Sequence, residues 1–131
     1  MTQPLYVNRK LYDIDTAYQA LLDTGFPLTL DGIPETLQVA RDIDRTNWLT
    51  FLGMCDEAVQ AGAPDDLAAF PVRCTSNRNH AVTYAEGAQI VRDLRLWAGA
   101  AQANWWALKD AARAATTAQE LRAVDPSQGW P

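Results

Sequence analysis

The chain has one histidine, His80, and it stands six residues after Cys74, one of only two cysteines. A thiol and an imidazole within reach of each other are the parts of a nucleophilic pair, in which the ring takes the proton and the thiolate attacks. Whether the two side chains meet depends on the turn between them. With Thr75 opposite His80, Cys74 falls opposite Ala81 and points to the other face of the hairpin from His80; a five-residue loop reverses that geometry. No recognisable third member or oxyanion-hole motif accompanies the pair. The reading is therefore a turn-exposed His80 and no catalytic residue.

Carboxylates recur as Asp13/Asp15 and Asp42/Asp44, and a hard cation would need third and fourth oxygen ligands converging on such a pair. Each pair falls where a helix is expected to open, and capping and the helix dipole favour Asp there without any ion. Asp65-Asp66 reads as a solvated loop. Neither Cys55 nor Cys74 has a second Cys or a paired His at metal-ligand spacing, so neither a metal site nor a disulfide is expected. Glycine-rich phosphate loops, zincin motifs and nucleophile elbows do not occur, and no cofactor is expected.

The elements that must position these residues read as an α+β domain, mainly helical. Residues 1–11 form an N-terminal arm. Within 12–40, Ile14, Ala17, Tyr18, Leu21 and Leu22 mark one helical face that Gly25 ends, with Asp13 or Asp15 at its start. Phe26 to Leu30 and Ile33 to Ala40 then form a hairpin around Asp31-Gly32, with Pro34 placing the second strand on an edge. Residues 41–62 are a helix with Trp48, Phe51, Leu52, Cys55, Ala58 and Val59 on one face. Residues 70–84 hold a second hairpin around Ser76 to Asn79. Residues 85–124 carry the longest helix, cored by Ile90, Leu94, Trp97, Ala101, Trp105, Leu108 and Ala112, then a break at Thr116-Thr117 and a short final turn. Residues 125–131 are a polar tail. One domain over 1–131, with both hairpins packed on the helices, is the expectation.

Eleven Lys and Arg against sixteen Asp and Glu give a net charge of -5, a field that repels phosphate backbones and anionic lipid. No nucleic-acid partner is expected. The absence of an eighteen-residue apolar window argues against membrane insertion, and the residues around Pro4 lack a secretory pattern, so the expected place of synthesis and residence is the cytoplasm.

Five tryptophans are the compositional excess. Trp48, Trp97 and Trp105 fall on core stripes. Trp106 instead falls between Gln102, Lys109 and Asp110, on the face that carries Arg92, Arg95 and Arg113, with Gly99 about two turns earlier. A large ring among charges, near a residue with no side chain, suits a contact with another chain; cover by another part of this chain is the equal alternative. Trp130 in the tail is a frayed end or an aromatic anchor docked on this domain or a neighbour. The protein-contact candidates are Trp106, Arg95, Gln102, Gly99 and Trp130. Leu49 falls on the polar side of its helix.

The order of these features resembles an uncharacterised domain family recurrent in bacteriophage and prophage tail proteins. The residues that carry the resemblance are Asp15 to Thr24, Gly25-Phe26, Asp31-Gly32, Leu37-Gln38-Val39, Asp42-Ile43-Asp44-Arg45, Asn79 with Val82-Thr83, and Ala111 to Val124 followed by Gly129-Trp130-Pro131. The chain departs from the family pattern at Cys74 and Arg78, and in the long helix at Trp106. The resemblance implies a non-enzymatic structural component of a tailed-phage virion at the tail tip, baseplate or fibre base. Such a part passes through the host cytoplasm during assembly, contacts other tail proteins and forms a homo-oligomer. The alternatives are a tail-fibre assembly chaperone not retained in the virion and a small host-directed enzyme or inhibitor.

Overall fold

The computed structural model describes residues 4–131. Its elements run α1 (Pro4–Thr24), β1 (Phe26–Leu30), β2 (Ile33–Leu37), α2 (Asp42–Gln60), β3 (Ala68–Arg73), β4 (Asn79–Thr83), α3 (Tyr84–Ala114) and α4 (Ala118–Ala123). The fold is α+β and mainly helical, with two antiparallel hairpins, β1-β2 and β3-β4. No helix of the described residues is long and apolar enough to cross a membrane.

The contacts of the chain gather into two compact units. Unit 1 joins the residues up to Leu21 with Ala98–Pro131, and unit 2 is Leu22–Trp97.

In unit 1, Ile14, Ala112, Leu121 and Val124 form a buried core, and Val7, Leu11, Trp105 and Leu108 pack against it. Residues 4–11, expected as an arm, are helical, and residues 1–3 lie outside the described residues. Val7, Leu11 and Ile14 repeat at four and three, so the apolar face simply extends backwards. Asp13 and Asp15 consequently sit inside a helix rather than at its cap. Asp13 accepts from Arg9 at 3.3 Å, and Asp15 accepts from Trp105 Nε1 at 2.7 Å and Lys109 Nζ at 3.0 Å. Burial pushes the Asp15 carboxyl up, but the bonds from Trp105 and Lys109 outweigh it and hold the group below its ordinary value. Thr117 caps α4, its hydroxyl accepting from the Glu120 amide at 3.1 Å, while the Glu120 carboxylate accepts from the Thr116 amide at 2.7 Å.

In unit 2, Leu37, Val39, Leu52, Val72 and Val91 are fully buried, and Trp97 meets Phe26 edge to face at 5.5 Å. Gly25 turns the chain out of α1 with φ 95°, and a Cβ there would stand 2.8 Å from the Leu37 carbonyl oxygen. Gly87 lets α3 lie against α2: a Cβ would stand 2.5 Å from Cys55 Sγ. Phe51, expected on the core face of α2, is instead 51% exposed, its ring meeting Phe70 edge to face at 6.3 Å. Leu52 and Cys55 hold the buried stripe, and Phe51 lies about 100° away from Leu52 around the helix. Leu49 is exposed, as its position implies. Asp44 does work at a helix start: from the third position of α2 it accepts the Arg41 amide at 3.2 Å and the Arg41 guanidinium at 2.7 Å.

Candidate functional site

The β1-β2 hairpin turns on Asp31 and Gly32, whose φ values of 53° and 74° are both left-handed, the geometry of a type I′ turn. Its register pairs Leu30 with Ile33 and Phe26 with Leu37. Alternation along β2 then buries Glu35 and Leu37, with Val39 just beyond, while Pro34 stays exposed on the edge. A carboxylate on a buried face needs partners, because a charge removed from water without them is costly.

Those partners come from the second hairpin. Arg73 pairs with Asn79, which leaves residues 74–78 as a five-residue loop closed by Cys74 N–H donating to the Arg78 carbonyl at 3.0 Å. Val72 therefore faces His80, and Cys74 and His80 turn to one side. The turn-exposed His80 expected from a shorter loop is corrected: His80 is 5% exposed. Thr75 N–H donates to the Thr36 carbonyl at 3.0 Å, and the two threonine hydroxyls are bonded to each other, so the loop of one hairpin is bound to the second strand of the other.

Four side chains are linked to the imidazole, directly or through Glu35. His80 Nδ1 lies 2.8 Å from an Asp31 carboxylate oxygen and Nε2 lies 2.5 Å from Glu35 Oε2. Arg78 grips Glu35 with two parallel bonds, Nη2 to Oε1 at 3.1 Å and Nε to Oε2 at 3.2 Å. Cys74 is the fourth: its Sγ, a Glu35 oxygen and a His80 nitrogen all lie within 4.8 Å of one another. The Arg78 and His80 bonds hold the Glu35 carboxyl down at about 2. Bonds to Asp31 and Glu35 push the His80 imidazole above its ordinary value, which favours the doubly protonated ring. Burial and the neighbouring Glu35 carboxylate push the Cys74 thiol up to about 11.

As a nucleophilic pair, Cys74 and His80 are poorly matched, since burial and Glu35 hold the proton on the thiol. The thiol keeps its proton, and both ring nitrogens are engaged by carboxylates, leaving none to receive it. What the arrangement does offer is an ordered set of N, O and S donors held by two hairpins.

Comparison with protein-family models, with curated proteins and with solved structures finds no match to this chain.

The five contact candidates occupy different settings. Trp106 is 55% exposed, Gln102 is exposed, and open space surrounds the point where a Gly99 side chain would begin. These three share a side of α3 within unit 1, because steps of three, four and seven residues keep side chains in register on a helix. Arg95, four residues before Gly99 on α3, is exposed and belongs to unit 2. Trp130 is not free: it is half-buried in unit 1, stacks on Tyr18 at 5.9 Å, and donates from Nε1 to the Pro126 carbonyl at 2.7 Å. Tyr18 in turn stacks on Trp105 at 4.6 Å, so the tail is an internal support of unit 1.

Sequence reasoning missed Glu35, Asp31 and Arg78 as site residues. One signal was present, since Glu35 falls in alternation with Leu37 and Val39 and so puts a charge on an otherwise apolar face.

Proposed function

We propose that this chain is a non-enzymatic structural part of a tailed-phage particle, seated at the tail tip, baseplate or fibre base, where it works by protein-protein contact. Two things support the reading: the order of motifs resembles the tail-associated family described above, and Trp106 presents a large ring to solvent. The observation that carries it is Trp106. Its ring stands on an exposed face with Gly99, Ala103 and Ala107, residues too small to fend off a neighbour. A tryptophan on such a face is the type of side chain that anchors interfaces once a partner removes it from water. Repeated copies of the chain, arranged with cyclic symmetry, are the natural setting for it.

The test combines Trp106→Ala with mass spectrometry of gradient-purified particles. Wild-type protein is expected in particles at a fixed small ratio to the major tail tube protein. Trp106→Ala is expected to keep its circular dichroism and melting temperature while losing oligomer mass and particle incorporation. Unchanged oligomer mass and unchanged incorporation would overturn the contact role. Abundance in lysate with absence from particles would replace the structural reading with that of an assembly chaperone.

A further inference from the structure

The His80 cluster does not depend on the contact face of Trp106 and has a chemistry of its own. The geometry points to a binding site for one Zn(II) ion, or a divalent transition metal of the same ligand preference, held by Cys74 Sγ, His80 Nε2 and Glu35 Oε2 with Asp31 behind the imidazole.

Donor type is the first argument. Thiolate, imidazole and carboxylate are the three side chains that Zn(II) takes, and three protein ligands leave a fourth tetrahedral position for water. Spacing is the second. Tetrahedral zinc with such ligands separates neighbouring donor atoms by roughly 3.3 to 3.7 Å. Here Cys74 Sγ, a His80 nitrogen and a Glu35 oxygen already lie within 4.8 Å of one another, and Glu35 Oε2 and His80 Nε2 are 2.5 Å apart. Small rotations that spread one pair and draw in the sulfur are all that is required.

Orientation of the ring is the third argument. Asp31 engages Nδ1 at 2.8 Å, which fixes the ring with Nε2 facing Glu35. A carboxylate on the far nitrogen of a ligating histidine is the recurrent support of zinc sites. Arg78 does not oppose the ion. Its Nη2 bond to Glu35 Oε1 can persist while Oε2 turns to the metal, and its own side chain is more than half exposed and able to adjust.

Binding deprotonates the Cys74 thiol, whose proton leaves to solvent as the divalent ion enters. Cys74 lines one surface groove with Trp48 and Asn77, and Glu35 lines another with Pro27 and Ser76.

The experiment uses the full chain, stripped with a chelator and dialysed, then titrated with Zn(II) against a chromophoric competitor and separately with Co(II). One equivalent is expected to bind, and Co(II) is expected to give thiolate-to-metal charge-transfer absorption with the d-d bands of a tetrahedral ion. Cys55→Ala, which leaves Cys74 as the sole thiol, should keep that absorption; Cys74→Ser, checked for native circular dichroism, should lose it. Asp31→Asn should weaken Zn(II) binding by about 10- to 100-fold while keeping the spectrum. Failure of the wild-type protein to bind one equivalent, or binding without a thiolate band, would overturn the proposal without reference to any variant. So would undiminished Zn(II) affinity in a folded Cys74→Ser.

Discussion

His80 Nε2 lies 2.5 Å from Glu35 Oε2, and the two side chains are 5% and 2% exposed although they come from different hairpins. A cation and an anion withdrawn together from water stabilise a fold only while both keep their charge. The pH dependence of this protein should therefore have an acid limb and an alkaline limb with different owners.

The acid limb belongs to Glu35. Its carboxyl falls from 4.5 to about 2 on folding, held chiefly by Arg78 and then by His80. A depressed carboxyl contributes stability above its unfolded value and loses it as pH drops through the folded one. In chelator-treated protein, Glu35→Gln should be destabilised at neutral pH, and its urea stability should converge with wild type as pH falls from 4.5 towards 2. Parallel curves over that window would show that Glu35 carries no depressed titration.

The alkaline limb belongs to His80, whose value is raised above 6.5, first by the Asp31 bond and then by Glu35. A raised imidazole contributes stability fully present below its unfolded value and lost as pH rises through the folded one. Ring nitrogen NMR of metal-free protein should give a titration midpoint above 6.5, and Asp31→Asn should bring it down. A midpoint that Asp31→Asn leaves in place would remove Asp31 from the account.

At the contact of α2 and α3, Gly87→Ala sets two effects against each other. The helix interior favours Ala by about 1 kcal/mol, while the new Cβ would stand 2.5 Å from Cys55 Sγ and 2.9 Å from Cys55 Cβ. Overpacking of that kind costs about 1–3 kcal/mol, so a net loss of about 1 kcal/mol is expected in urea unfolding. Adding Cys55→Ala should recover part of it, which a double-mutant cycle measures as coupling between the two sites.

The legible parts of the fold were those written in local pattern. Ile90, Leu94, Trp97 and Ala101 lie inside as their spacing implies, Asp31-Gly32 turns the first hairpin, and the break at Thr116-Thr117 separates α3 from α4. The α1 start was misread because Asp13 and Asp15 look like caps, although Val7 and Leu11 already continue the apolar face of Ile14. Phe51 was placed inside because a helical face read by apolar type alone is wider than the stripe that Leu52 and Cys55 bury. The site itself was not legible, for a physical reason. Glu35 and His80 are 45 residues apart, Asp31 and His80 are 49 apart, and their meeting depends on how one hairpin loop binds a strand of the other. A single residue of loop length decides whether His80 faces solvent or Glu35, and composition does not encode that.

Position 31 answers to two unrelated demands. Its backbone sits at φ 53°, which Gly, Asn and Asp tolerate best, and its carboxylate reaches His80 at 2.8 Å. A randomised library selected only for a folded hairpin should return all three residues there. A library selected for a charged, correctly aimed imidazole should return Asp alone, so the difference between the two survivor lists would separate what this turn does for the chain's shape from what it does for its chemistry.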